Sequence, residues 1–278
     1  MSRRTLSALA LVASLAFLFS VAGCKNNPKF EGPQLMRWDF AEASTRSYQF
    51  EQRSASYSVM AMMMPDGTPM ADTSQYKTVS TADLRVISAG GGSANMTLEG
   101  MLMRAYQYDP QTGVLLDSMT EEMDPITVEN LKETGKPDST DEQNQQLFDY
   151  LFPLPVDQLS VGETEERGLE VPFNTLGSVL PVGGTVKTTF TEITQHQNRT
   201  CARLDTELLL DQVDLPQDMP GEYLFKRSGT STFYFDLEKR EFVSGEVSIT
   251  STVIMDAGIE NGIFNIESSD TFTLQLAE

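Results

Sequence analysis

Apolar and polar residues alternate at period two along much of this chain, and no other feature limits its fold as strongly. From Phe264 the apolar set is Phe264, Ile266, Phe272, Leu274 and Leu276, with Asn265, Glu267, Ser269, Thr271, Thr273 and Gln275 between them. Ser268 and Asp270 interrupt the apolar face of that stretch. Val247, Ile249, Val253 and Met255 alternate with Ser248, Thr250 and Thr252, and the same rhythm runs through Phe233 and Phe235, through Leu84 and Val86, and through Met96, Leu98 and Leu102. Successive side chains of a strand point to opposite faces, so alternation means one apolar face and one wet face, as in antiparallel sheet. The expected fold is all-β and mainly antiparallel, with long amphipathic strands arranged as a curved sheet, a half-barrel or a sandwich. Gly90-Gly91-Gly92, between Ile87 and Met96, reads as a hairpin loop, because glycine reaches positive φ without strain. Asp256-Ala257-Gly258 and Glu260-Asn261-Gly262 read as turns between the last two strands.

One short helix is predicted near residues 140–152. Ser139 or Thr140 caps it, Asp141 and Glu142 sit in its positive first turn, and Leu147, Phe148, Leu151 and Phe152 form its apolar stripe. Pro153 and Pro155 stop it. A linker around Glu133 to Ser139, with Gly135 and Pro137, divides the chain into a first β half over residues 34–135 and a second over 136–278, which could still form one continuous domain. Each half holds an aromatic strand ending in Asp and followed by another strand: Tyr106-Gln107-Tyr108-Asp109 before Val114-Leu115-Leu116, and Phe233-Tyr234-Phe235-Asp236 before Phe242-Val243. An internal duplication would explain that likeness.

The N-terminus carries an export signal. Arg3 and Arg4 precede an apolar stretch from Leu6 to Ser20, which is short for a membrane span. Val21, Ala22, Gly23 and Cys24 follow: an aliphatic residue, two small ones and a cysteine. This resembles the lipobox of bacterial lipoproteins. The resemblance implies cleavage of residues 1–23, a diacylglycerol thioether on Cys24, and export to the cell envelope. Residues 24–33 then form a short lipidated tether. Lys25 after the cysteine, rather than Asp, implies the periplasmic face of the outer membrane in a diderm host. Ser2-Arg3-Arg4-Thr5-Leu6 also resembles part of a twin-arginine signal, but Leu replaces Phe and no Lys follows, so the general secretory route is the expected one. The second half has a resemblance of its own. Leu154-Pro155-Val156, Val161-Gly162-Glu163 and the strand from Gly229 to Asp236 are similar to a broad group of uncharacterised β-rich bacterial envelope lipoproteins, over roughly Leu154 to Met255. That group's motif carries no catalytic residues.

Charge narrows the partners. The 278 residues include 20 Lys plus Arg and 40 Asp plus Glu, a formal net charge of −20. Nucleic-acid binding needs clustered basic residues to neutralise phosphates, so it is excluded as a function. Asp109 to Glu170 alone holds sixteen acids against three bases, Lys132, Lys136 and Arg167. No D-x-D-x-D-G calcium loop lies there and no spacing picks out a glycosidase pair, so a solvated, self-repelling surface is expected.

Catalytic and metal signals are sparse. His196 is the only histidine, and Cys201 lies five residues on, an offset that puts the two on opposite faces of a continuous strand, with Asn198 and Thr200 sharing the His196 face. Gln195 to Arg199 also reads as a polar hairpin turn, which makes His196 an exposed turn residue. Once Cys24 is lipidated Cys201 has no disulfide partner, and its alternating segment points to a buried structural thiol. Met60, Met62, Met63 and Met64 cluster, with Met70 beyond Pro65-Asp66-Gly67. Thioethers are soft ligands that suit Cu(I), and period two places Met60, Met62 and Met64 on one face. With His and Cys absent nearby, packing or an adaptable apolar surface is the plainer reading. Gly90 to Gly92 lacks a phosphate-loop spacing, and the Leu276-Ala277-Glu278 ending lacks the terminal aromatic of outer-membrane barrels.

No catalytic residue, cofactor or metal is expected. The function expected from sequence is a membrane-anchored, non-enzymatic binding or scaffolding module. The alternative is a periplasmic carrier of lipid or another hydrophobic ligand in a half-barrel, with Met-rich copper binding and a carboxylate-based enzyme ranked below it. The membrane, through the lipid on Cys24, is the one partner named.

Overall fold

The computed structural model describes residues 30–64, 66–138, 152–174, 179–213, 215, 221–256, 258 and 262–277. The chain divides into a unit over Met1–Gly32, of which only residues 30–32 are described, and a unit over Pro33–Glu278 that holds every strand. The lipobox and the helix expected over 140–152, apart from Phe152, lie outside the described residues.

Eleven strands form one antiparallel sheet. They are β1 (Ala43–Met63), β2 (Pro69–Ala89), β3 (Ser93–Tyr108), β4 (Leu115–Glu122), β5 (Ile126–Lys132), β6 (Thr164–Asn174), β7 (Val179–His196), β8 (Arg199–Val213), β9 (Glu222–Asp236), β10 (Glu241–Asp256) and β11 (Ile263–Leu276). The strand order is β4-β3-β2-β1-β11-β10-β9-β8-β7-β6, with β5 paired to β3 beside β4. Along that path each strand lies beside its neighbour in sequence except at the centre, where the first strand pairs with the last from Tyr48 opposite Leu276 to Ala61 opposite Ile263, while β5 skips β4 to pair with β3. Among the described residues the outer edges of β4 and β6 pair with nothing, so the sheet is open and curved rather than a closed barrel or two stacked sheets.

Local chemistry sets the corners. Gly90, Gly91 and Gly92 all have φ near +90° and join β2 to β3, as the sequence predicts. The two aromatic strands that end in Asp close with the same turn. The Asp109 Oδ1 accepts from the amides of Gln111 and Thr112, and Gly113 N donates to Asp109 O; the Asp236 Oδ1 accepts from Glu238 and Lys239, and Arg240 N donates to Asp236 O. One alternation fails. A bulge at Gly100 sets two residues of β3 against Ala82, so Leu102 pairs with Thr81 on the polar face and Met101 takes the buried position.

The inner face of the sheet has three zones along the strands. At the end where β1 begins, Tyr48, Leu84, Met96, Phe190, Leu204, Phe233, Phe235, Phe242 and Leu274 are buried. Met36, Trp38 and Phe40 from the segment before β1, and Phe152, Leu154 and Leu159 from the segment before β6, cover them. Trp38 stacks on Phe40 at 5.6 Å and meets Phe152 and Phe242 edge-on or tilted at 5.3 and 5.4 Å. Next comes a polar band, where Ser54 and Ser56 of β1 lie opposite Asp270 and Ser268 of β11 and opposite Thr78 and Tyr76 of β2. The Ser54 hydroxyl donates to Asp270, and Ser58 and Ser74 share a hydrogen bond of 2.7 Å. The polar interruption read in the last strand is thus one segment of a band that spans β2, β1 and β11. Beyond it the face turns apolar again, with a second buried cluster of Val171, Val182, Val186, Leu208, Leu210, Phe225 and Val253.

Close packing of β7 on β8 carries one stability prediction. A Cβ placed on Gly184 would lie 2.0 Å from the Leu209 carbonyl oxygen and 2.7 Å from the Leu210 Cα, both backbone. Gly184→Ala must therefore push two strands apart, and the expected cost is about 3 kcal/mol, read as a lowered denaturant midpoint. An unchanged midpoint would mean that this approach is not held in solution.

Candidate binding face

The zone beyond the polar band is the candidate site. Its floor is the second apolar cluster, and its half-buried rim is Met60, Met62, Met70, Tyr223, Met255 and Phe264, with Ile266 38% exposed. Register brings these residues together: Met60 faces Phe264 across β1 and β11, Phe264 faces Met255 on β10, and Met255 faces Tyr223 on β9. A cavity beside this zone, lined by Leu180, Val213, Phe225 and Met255 among others, holds only about 10 Å³. That is room for about one water molecule. A ligand of any size must lie on the open face, because the described residues enclose no apolar chamber there. Larger hollows, of about 450 and 320 Å³, lie on the polar face, lined by Gln49, Glu51, Asp83 and Thr273 in one and by Tyr57, Gln75, Thr250 and Glu267 in the other.

The methionines divide differently from the spacing. Met62 pairs with Met70 and Met60 with Asp72, so Met60, Met62 and Met70 share the inner face. Met63 pairs with Pro69 and points to the other face, and Met64 lies past the end of β1. The expected trio of Met60, Met62 and Met64 is therefore corrected: the strand ends before Met64, and the hairpin returns Met70 in its place.

His196 and Cys201 also depart from the continuous-strand expectation. The turn is Gln197-Asn198, both with positive φ of 50° and 61°, and it reverses the chain between β7 and β8. Thr194 then faces Cys201 and His196 faces Arg199, which puts histidine and cysteine on one face rather than on opposite faces. Asn198 lies in the turn itself and does not share a strand face with His196. Nor is His196 a freely exposed turn residue: it is half-buried, its ring stacks on Tyr234 at 3.8 Å, and its Nε2 lies 2.9 Å from Ser244 Oγ. Burial pushes its pKa below the usual value. Among the described residues no carboxylate bonds that ring, so the His–Ser contact lacks the acid that orients a catalytic histidine.

Cys201 is buried and free, its Sγ 4.0 Å from the His196 carbonyl oxygen. Burial, and then the nearby Asp236 carboxylate, raise the thiol from its ordinary 9.0 to about 12. A neutral, enclosed thiol is neither nucleophile nor metal ligand. The expected result at pH 8 is that a thiol reagent leaves Cys201 unmodified until the protein unfolds. Fast labelling of the folded protein would contradict this placement. Because the raised pKa belongs to the folded state, the unfolded chain sheds this proton first, and stability should fall as pH rises from about 9 towards 12.

A buried ion-pair network sits at the sealed end, where the sequence marks no site. The Glu241 carboxylate accepts from Arg46 Nε at 2.7 Å and from Arg199 Nη1 at 2.6 Å, and Arg199 also meets Asp236 at 3.3 Å. Arg46 donates further to Ser44 Oγ and Asp39 O, and lies 5.7 and 5.6 Å from the Trp38 and Phe40 ring centres. Each guanidinium nitrogen of Arg46 donates a hydrogen bond, so the network ties the covering segment to the sheet. Among the described residues no group of three or more His, Cys, Asp or Glu side chains is placed to hold a metal ion.

Among the described residues the chain is thus an open antiparallel sheet with one amphipathic face, sealed at one end and uncovered at the other. No protein-family model and no curated protein matches it.

Proposed function

We propose that this chain is a lipid-anchored protein of the bacterial cell envelope, held through Cys24, that works as a non-enzymatic binding module. The signal and lipobox residues Val21, Ala22, Gly23 and Cys24 support the anchor and the location. In a diderm host its place is the periplasmic face of the outer membrane. The observation that carries the binding role is the uncovered apolar zone of the inner face, where Met60, Met255, Phe264 and Ile266 stay half-buried or exposed while the other end of the same face is sealed by Trp38, Phe40 and Phe152. A monomer leaves such a patch open at a cost in solubility, and methionine lets it adapt to varied apolar shapes.

The second reading, a carrier of lipid or another hydrophobic ligand, draws on the same zone. The open face would hold an acyl chain along the strands, with the cluster around Val182 and Leu210 as floor. A photo-crosslinking amino acid at Ile266 separates the two readings, with Leu209 on the polar face as a control of equal exposure, 39% against 38%. Capture at 266 of a protein partner favours the binding module, and capture of lipid favours the carrier. Equal capture at 209 and 266 would remove the inner face as the site under either reading. Native mass spectrometry of a Cys24→Ser form should show co-purified lipid only under the carrier reading.

A further inference from the structure

We propose that the β1–β2 hairpin carries a soft-metal site for monovalent copper, with the thioethers of Met60, Met62 and Met70 as its three ligands. Met62 and Met70 are direct cross-strand partners, and Met60 lies two residues from Met62 on the same face. Directly opposed Cβ atoms sit about 5 Å apart and diagonal ones about 7 Å. A methionine side chain has three rotatable bonds beyond Cα, enough for three sulfurs to converge on one ion above such a hairpin. All three are half-buried, so they are reachable yet partly shielded.

The donor set selects the ion. Three neutral thioethers are too soft for Mg²⁺ or Ca²⁺ and too weak for Zn²⁺ without thiolate or imidazole, whereas Cu(I) accepts them in a low coordination number. The surroundings agree with a single positive charge. Asp72, opposite Met60 and on the same face, is exposed and supplies a nearby negative charge without being a thioether competitor. Phe264 flanks Met60 on the other side and walls the site with an apolar ring. The chain's net charge of −20 raises the local concentration of any cation. The site shares Met60, Met62 and Met70 with the rim of the proposed binding face, but its test reads Cu(I) uptake alone, so its failure is distinguishable from failure of the carrier or scaffold readings.

The test uses the full chain in detergent, under anaerobic and reducing conditions, with Cu(I) supplied as its bicinchoninate complex. The protein should withdraw one equivalent of Cu(I) and none of Zn²⁺. Met60→Leu, Met62→Leu and Met70→Leu should each weaken binding about tenfold or more, while Met63→Leu and Met64→Leu change it by less than about twofold. Leucine conserves volume, so the variants keep the fold, and a circular dichroism spectrum checks it. A readout without variants is the methyl spectrum of ¹³C-methyl-methionine protein titrated with Ag(I): resonances of Met60, Met62 and Met70 should shift and those of Met63 and Met64 should not. Failure of the unaltered chain to take Cu(I) from the chelator would overturn the proposal. So would undiminished binding by the triple Met60→Leu, Met62→Leu, Met70→Leu variant, since that variant keeps Cys201.

Discussion

Replacing Cys24 with Ser is expected to abolish acylation and release the protein from membranes altogether. A metabolically supplied alkyne-palmitate should label the unaltered chain and leave Cys24→Ser unlabelled, and fractionation should move the variant from the membrane pellet to the supernatant. The expected effect is large because the proposed lipid would supply two or three acyl chains, which anchor stably, and among the described residues no helix is long and apolar enough to cross a membrane. Each buried CH₂ contributes about 0.8 kcal/mol, and a protein of net charge −20 is repelled by anionic lipid. Cys201→Ser should keep full label, since that thiol is buried. Label on Cys24→Ser, or retention of that variant in the pellet, would sink the anchor.

Removing Glu241 should have a large effect on the stability of the sealed end. Its side chain is only 10% exposed and that of Arg46 only 9%, so Glu241→Ala leaves one guanidinium buried without its counter-charge and a second, Arg199, with Asp236 alone. Breaking a buried pair in this way costs about 3–5 kcal/mol. The Arg46 guanidinium also donates to the Asp39 carbonyl and lies over the Trp38 and Phe40 rings, so the covering segment should loosen with it. Chemical denaturation followed by Trp38 fluorescence reads both, as Trp38 is the chain's one tryptophan. A loss below about 1 kcal/mol would place this network with ordinary surface ion pairs.

The strands were legible because alternation is a local signal. Val247 to Met255 and Phe264 to Leu276 announce their faces residue by residue, and the three glycines at 90–92 announce their corner. Leu102 misled because a one-residue bulge at Gly100 exchanges the faces without altering composition. The Met trio misled at Met64 for a similar reason: spacing along one strand carries no information about where the strand ends or what the return strand brings opposite. Met36, Trp38 and Phe40 alternate as a strand does, yet cover the sheet from outside it, and only tertiary contacts separate those roles. The polar band was half legible. Ser268 and Asp270 interrupt their own pattern, but their partners Ser54 and Ser56 lie more than 200 residues away, and no local rule links them. The Arg46–Glu241 pair, 195 residues apart, is hidden for the same reason.

The pairing of the first strand with the last has a consequence for how the molecule comes into being. A chain made from its N-terminus presents β1 long before β11 exists, and the two halves of the sheet have no strand to join them until β11 is made. The central hydrogen-bond ladder cannot form before β11 is made, and its loop closure spans nearly the whole polypeptide. Such non-local pairing is slow. Until the last strand is made, the sheet stays incomplete at its middle.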